Sequence, residues 1–350
     1  MESSNDDADI DSSCSGKEIS KVDIIKTIKL DELSQKSNKY LTTTICTGMD
    51  SNSIFIVGYA YPTYQIFKLM IDTLELTRIF SADTASDYKQ LYKYVRSLLY
   101  MAPLNMNNKI GAIAIVDTAI PKNDNDKRLS FLRLAVFDSA RGSNLYAKEK
   151  QFFQLTSCPS TKNPKHRLMI GQLLNGTKLL CGAEHTSSLD VFLVESTGCL
   201  QQLSPLALGI EQLSFTTGEF NGMSLLFVNT GVYSNYYKAF TVNIFEVLDR
   251  EQLALKQLSS LHFPKVDILY GDGLLIGYTS TNNDTDACDS IVVWHLVDGG
   301  RRVRKLEERV QLPTPLKPFL GSTLIMNDKL VVCSEEGEGK HISILQLAFK

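Results

Sequence analysis

The pattern that most limits this chain is a unit recurring roughly every 50 residues, in which an apolar run, a tight turn and a second apolar run are followed by a third, alternating run. The paired runs are LTTTICTG with IFIVGYA, VRSLLYMA with IGAIAIV, HRLMIGQLL with KLLCGAE, IEQLSFTTGEF with SLLFVNT, KVDILYGD with LLIGY, and LKPFLGSTLIM with KLVVCSE. Asn175-Gly176, Asn221-Gly222, Asp272-Gly273 and Asn327-Asp328 stand between several of these pairs. Such dipeptides accept the positive φ angles of two-residue hairpin turns. The third runs are YQIFKLMID, FLRLAVFDS, LDVFLVES, FTVNIFEVL, SIVVWHLVD and HISILQLAF. Marked at Leu69, Leu134, Phe192, Ile244, Val292 and Ser343, they follow one another at 65, 58, 52, 48 and 51 residues.

A turn and a fourth run usually complete the unit. Four short antiparallel strands cannot bury both of their faces alone, whereas units stacked around an axis can. The expectation is an all-β chain folded as a closed β-propeller of four-stranded blades, six of them, with seven as the alternative if the long second unit hides another. The last unit runs out at Lys350 with three strands, and VDIIKTIKL precedes the first as a strand without a unit. Pairing the two closes the ring and covers an exposed sheet edge. Residues 1–21, with Glu2, Asp6, Asp7, Asp9 and Asp11 among serines, hold too little apolar surface to repay ordering and read as a disordered acidic tail. Residues 22–350 read as a single domain. One helix is expected within ASDYKQLYKYV, where Tyr88, Leu91, Tyr92 and Val95 fall at helical spacing behind Ser86 and Asp87.

Composition narrows the role. With 36 basic against 39 acidic side chains, the net charge of −3 excludes a chain whose whole surface is built for nucleic acid. The N-terminal residues are acidic where a signal peptide is basic and then apolar, and no apolar run approaches a membrane span. Cys14, Cys46, Cys158, Cys181, Cys199, Cys288 and Cys333 are scattered and never spaced as CxxC. A nuclear or cytoplasmic setting is expected, without disulfides, metal or membrane.

The segment SIVVWHLVDGGRRVRKL resembles the third strand, turn and fourth strand of a WD40 repeat, with Trp294-His295 where that family has Trp-Asp. LAVFDSARG, with Phe137-Asp138, and VFLVESTGCLQQL resemble the same unit. The chain is thus similar to degenerate WD40-like propellers. That resemblance implies a scaffold serving as a subunit of a larger complex, with partners bound by loops on the rim called the top.

Read in order, those top loops carry two tyrosine clusters: Tyr59, Tyr61 and Tyr64 in YAYPTYQ, and Tyr233, Tyr236 and Tyr237 in GVYSNYYK. Tyrosine gives contact area at low entropic cost with a polar tip, which suits a protein interface. The loop TSTNNDTDACD, with Asp284, Asp286 and Asp289, lacks the glycine and distant glutamate of a calcium loop and reads as solvated. Arg301, Arg302, Arg304, Lys305 and Arg309 form a basic segment, and Lys162, Lys165, His166 and Arg167 a second. Charged fourth strands protect an outer edge; a nucleic-acid-associated propeller using these patches is the alternative.

Catalysis has little support. His166, His185, His262, His295 and His341 are singletons, no GxSxG elbow occurs, and GEGK at 337–340 lacks the frame of a phosphate loop. No catalytic residue, cofactor or small-molecule substrate is expected; a six-bladed propeller hydrolase, its site converging from separated residues, is the other alternative. Val22-Asp23-Ile24-Ile25, after the acidic segment, resembles a SUMO-interacting motif. Those residues are also the ring-closing strand, and closure is the stronger demand because a buried strand cannot be offered to another protein.

Overall fold

The computed structural model describes residues 19–29, 42–47, 52–60, 63–83, 92–107, 110–121, 129–138, 145–146, 153–154, 168–173, 178–195, 200–233, 238–249, 252–263, 268–271, 274–279, 288–297, 302–305, 309–316, 318–326, 328–336 and 339–349. Among these residues every regular element is a strand, and the strands form six antiparallel sheets. β1 (Ile19–Lys29) stands apart at the start. Sheet one is β2 (Thr42–Thr47), β3 (Ser53–Ala60), β4 (Thr63–Met70) and β5 (Leu76–Asp83). Sheet two is β6 (Tyr92–Asn107), β7 (Ile110–Pro121) and β8 (Leu129–Asp138), with β9 (Leu145–Tyr146) and β10 (Phe153–Gln154) both on β8. Sheet three is β11 (Leu168–Leu173), β12 (Lys178–Ala183) and β13 (Thr186–Val194), edged by β14 (Leu200–Gln202) and β15 (Leu206–Gln212).

Sheet four is β16 (Ser214–Phe220), β17 (Met223–Tyr233), β18 (Lys238–Asp249) and β19 (Leu253–Phe263). Sheet five is β20 (Ile268–Gly271), β21 (Leu274–Thr279) and β22 (Cys288–Val297), edged by β23 (Arg302–Lys305) and β24 (Val310–Leu316). Sheet six is β25 (Pro318–Met326), β26 (Lys329–Glu336) and β27 (Gly339–Phe349), and its outer strand is β1. In sheet three the outer strand breaks at Pro205, which has no N–H to donate; Pro313 and Pro315 sit in β24, an edge where that loss is tolerated.

The helix expected near Tyr88 is not formed over its second half. Tyr92 and Val95 lie in β6, with Tyr94 opposite Ile120 and Val95 opposite Ala119; residues 84–91 lie outside the described residues. Aromatic and β-branched residues at that spacing also suit a strand, and the apolar run Ile110–Pro121 supplies the partner.

Packing explains why the strands are apolar on both sides. Leu226, Val228, Phe245 and Val247 of sheet four join Leu180, Leu189 and Val191 of sheet three, whereas Leu225, Phe227, Val242 and Ile244 face Leu275, Val292 and Trp294 of sheet five. Successive side chains point to opposite faces, so a sheet covered on both reads as a continuous apolar run such as Leu225–Val228. The first strands of successive sheets touch in order: β2 meets β6, β6 meets β11, β11 meets β16, β16 meets β20, β20 meets β25, and β25 meets β2.

β1 begins at Ile19, earlier than the boundary expected at Val22, and residues 1–18 lie outside the described residues. It pairs antiparallel with β27 from Ile19 opposite Phe349 to Lys29 opposite His341. Two bulges, at Ser20 and Ile25, interrupt that register. Each bulge reverses which face later residues occupy. Hence Ile19, Val22 and Ile24 pack towards sheet five, with Leu274, Ile276 and Val310, while Ile28 packs towards sheet one, with Ile54, Phe67 and Leu69. Without the second bulge, Ile28 would share a face with Val22. One strand therefore seals both neighbours of sheet six, and Lys26 Nζ adds a 2.7 Å hydrogen bond to the carbonyl of Leu74 on the sheet-one side.

Candidate functional site

Antiparallel strands alternate in direction, so the turns between second and third strands and the connections between sheets lie at one end of the molecule. Tyr59 and Tyr64 stand directly opposite each other at the end of β3 and β4, and Tyr233 ends β17 opposite Lys238. Both pairs therefore flank second-to-third turns, in sheets one and four. Tyr61, Tyr236 and Tyr237 lie outside the described residues.

The fully described part of this rim is where sheet three passes to sheet four. The turn after β12 places His185 in the left-handed region, φ 65°, and its N–H donates to the carbonyl of Gln212 at 2.7 Å. His185 Nδ1 lies 2.7 Å from Glu211 Oε1; a carboxylate only accepts, so the imidazole nitrogen donates. Glu184 Oε1 is 3.8 Å from the other ring nitrogen. Beneath them Gln212 is buried, its amide donating to Ala183 O at 3.2 Å and Thr186 Oγ1 at 3.1 Å, and Thr186 Oγ1 donates to Ala183 O at 2.7 Å. The carbonyl oxygen Oε1 of Gln212 is buried without a hydrogen-bond partner. Gly182 leaves room for this amide, since a Cβ there would stand 2.6 Å from Gln212 Nε2.

The two layers differ in strength. His185 and Glu211 side chains are 40% and 65% exposed, so water and salt screen their attraction. Gln212 does its work out of water and fixes the turn to the connecting strand. Glu184, His185 and Glu211 are thereby presented on a rigid base. This cluster escapes a linear reading because His185 and Glu211 are 26 residues apart, in different connections. Only the chain path round β13 to β15 unites them.

Further along the same end, Asp289 accepts from Ser290 Oγ at 2.5 Å, while Asp284 and Asp286 lie outside the described residues. Among the described residues no group of histidine, cysteine and carboxylate side chains could hold a metal ion. The basic segment is elsewhere, on the outer edge of sheet five. Arg302 and Arg309 are exposed, Arg304 pairs in register with His295 and Lys305 with Trp294; Arg301, Lys162, Lys165, His166 and Arg167 lie outside the described residues. No helix of the described residues is long and apolar enough to cross a membrane.

No family model matches the sequence, and no curated protein does. Among solved structures the chain is similar to the β-propeller domain of Cps50 (Swd1) from Myceliophteria thermophila, at 13% identity and a TM-score of 0.47, over 93% of this chain and 100% of that one. It is also similar to the Dos1 propeller, at 12% identity and a TM-score of 0.40, over 87% of this chain and 66% of that one. A third is an oligogalacturonate lyase in complex with manganese, at 12% identity and a TM-score of 0.40, over 84% of this chain and 74% of that one.

Proposed function

We propose that the chain is a closed, six-bladed WD40-like propeller acting as a non-enzymatic scaffold, a nuclear or cytoplasmic subunit of a multi-protein complex. Its mechanism is rigid display: the blades hold their connecting loops in fixed positions, and partners bind those loops without covalent chemistry. The observation that carries this reading is the matched location of the two tyrosine clusters. Tyr59–Tyr64 and Tyr233–Lys238 close equivalent turns in sheets one and four, which supports the reading that the two clusters share a rim. In a six-membered ring, units one and four face each other across the axis, which suits one large partner or two smaller ones.

Affinity purification of the full chain tests this. Changing Tyr233, Tyr236 and Tyr237 together to alanine, or Tyr59, Tyr61 and Tyr64 together, is expected to lose at least one stable partner, because aromatic anchors commonly carry about 2 kcal/mol or more each. Retention of every partner by both triple variants rejects the rim as the binding surface.

A further inference from the structure

β1 is the outer strand of sheet six, so one of its backbone edges faces away from β27. Its inward side chains are committed, but the strand is 11 residues long and most of its other side chains are exposed. Ile25 is 41% exposed and is the exposed large hydrophobic residue among the described residues. The bulge that lets β1 seal two cores is what turns Ile25 outward. Around it stand Lys21, Lys26 and Lys29 against a single acid, Asp23, giving the strand a net charge of +2 in a chain whose total is −3. Lys21 pairs with Asp23 at 2.8 Å and Lys26 with the carbonyl of Leu74, both at exposed positions, so the excess positive charge stays at the surface. The neighbouring β24 packs beside β1 and brings exposed Arg309 at its entry.

We propose that the outer edge of β1 docks an acidic, extended segment of a partner protein, which adds to sheet six as a further strand with an aliphatic side chain against Ile25. Strand addition supplies main-chain hydrogen bonds, and the alternate side chains supply selectivity. Charge decides which strand is admitted. Lysines on an edge prevent like edges from pairing, because two copies of β1 would bring positive against positive. The same charges attract an acidic segment, so repulsion of the wrong partner and attraction of the right one come from Lys21, Lys26 and Lys29 together. A nucleic acid is the poorer fit: it has no main-chain ladder of N–H and C=O groups to pair with the edge of β1 and no aliphatic side chain to set against Ile25. This surface is separate from the tyrosine rim, and its success or failure leaves that reading untouched.

The test uses the full chain and a fluorescein-labelled synthetic peptide, EDEDIVIEDEDE, followed by fluorescence anisotropy and by amide hydrogen exchange. Binding is expected at low salt, weakening as salt rises, with slower exchange of amides in β1 when the peptide is present. Ile25→Asp, at an exposed position, is expected to weaken binding by at least about tenfold, as is Lys21→Glu with Lys29→Glu. A dT20 oligonucleotide is expected to bind more weakly than the peptide. The proposal is overturned if the peptide does not bind, if it binds equally to the Ile25→Asp chain, if β1 exchange is unchanged on binding, or if dT20 binds more tightly.

Discussion

Val22 stands directly opposite Leu347, and both are buried, so a residue near the start of the chain and one near its end share a single rung of sheet six. Truncating Val22 to alanine removes two methyl groups from the core between sheets five and six. Urea unfolding is expected to show a loss of about 1.5–2.5 kcal/mol. Ile25→Ala, three positions along the same strand, is expected to stay within about 0.5 kcal/mol because its side chain meets water. Equal losses at both positions would contradict the bulged register.

At the rim between sheets three and four, the buried amide is expected to matter more than the visible ion pair. Gln212→Ala removes a buried amide donor from Thr186 Oγ1 and from Ala183 O, which keeps its bond from Thr186 Oγ1, and is expected to cost about 1–3 kcal/mol. A double-mutant cycle on His185 and Glu211 is expected to return a coupling below about 1 kcal/mol that shrinks further in high salt. Thermal melts of the single and double variants measure both.

Asp328 gives the fold an acid-sensitive contact. Gln346 Nε2 donates to its carboxylate at 2.7 Å and Lys329 Nζ at 3.0 Å, while Leu347 N donates to its carbonyl at 2.7 Å. The Gln346 hydrogen bond lowers the carboxyl most, burial opposes it with the next-largest effect, and the hydrogen bond and charge of Lys329 add to the lowering, so the carboxyl sits below its ordinary value. A carboxyl lowered by folding stabilises the protein fully above its unfolded pKa, and the contribution is lost as pH falls through the folded value. The carboxylate is about half exposed, so its share is under about 1 kcal/mol. Asp328→Asn is expected to flatten the decline in urea midpoint between about pH 5 and pH 2 while leaving other slopes unchanged.

The turn between β16 and β17 places Asn221 at φ 49° and Gly222 at φ 73°. Gly222→Ala meets open space yet forces a side chain into the left-handed region, and is expected to cost about 1 kcal/mol. Asn221→Gly is expected to be nearly neutral. Chemical denaturation of the two variants checks this, and a neutral Gly222→Ala would count against the turn.

Asn221-Gly222 shows how far local sequence reaches: the dipeptide names its own turn, and the flanking alternation sets the strands. The same logic makes the partnerless run VDIIKTIKL and the three-stranded last unit readable as complements. It fails where two distant surfaces decide. The bulges at Ser20 and Ile25 answer to sheets five and one at once, so no pattern within β1 reveals them. His185 and Glu211 meet only through the path of β13 to β15. Around Tyr92, spacing that satisfies a helix also satisfies a strand, and the partner in β7 decides. Arg302 illustrates the opposite case, since its place in a fourth run after SIVVWHLVD already puts it at an outer edge.

The pairing of β1 with β27 underlies the sealed cores on both faces of sheet six, and a crosslink tests it directly. Thr27 lies opposite Ser343 in the regular stretch of the β1–β27 pairing, within the reach of a disulfide after slight relaxation. The Thr27→Cys, Ser343→Cys chain is predicted to form that bond under mild oxidation in dilute solution, with the two peptides recovered linked by mass spectrometry from monomeric protein. Thr27→Cys with Gln346→Cys is predicted not to form it. Absence of the Thr27–Ser343 link, or equal linking of the offset pair, would contradict the β1–β27 pairing in this register.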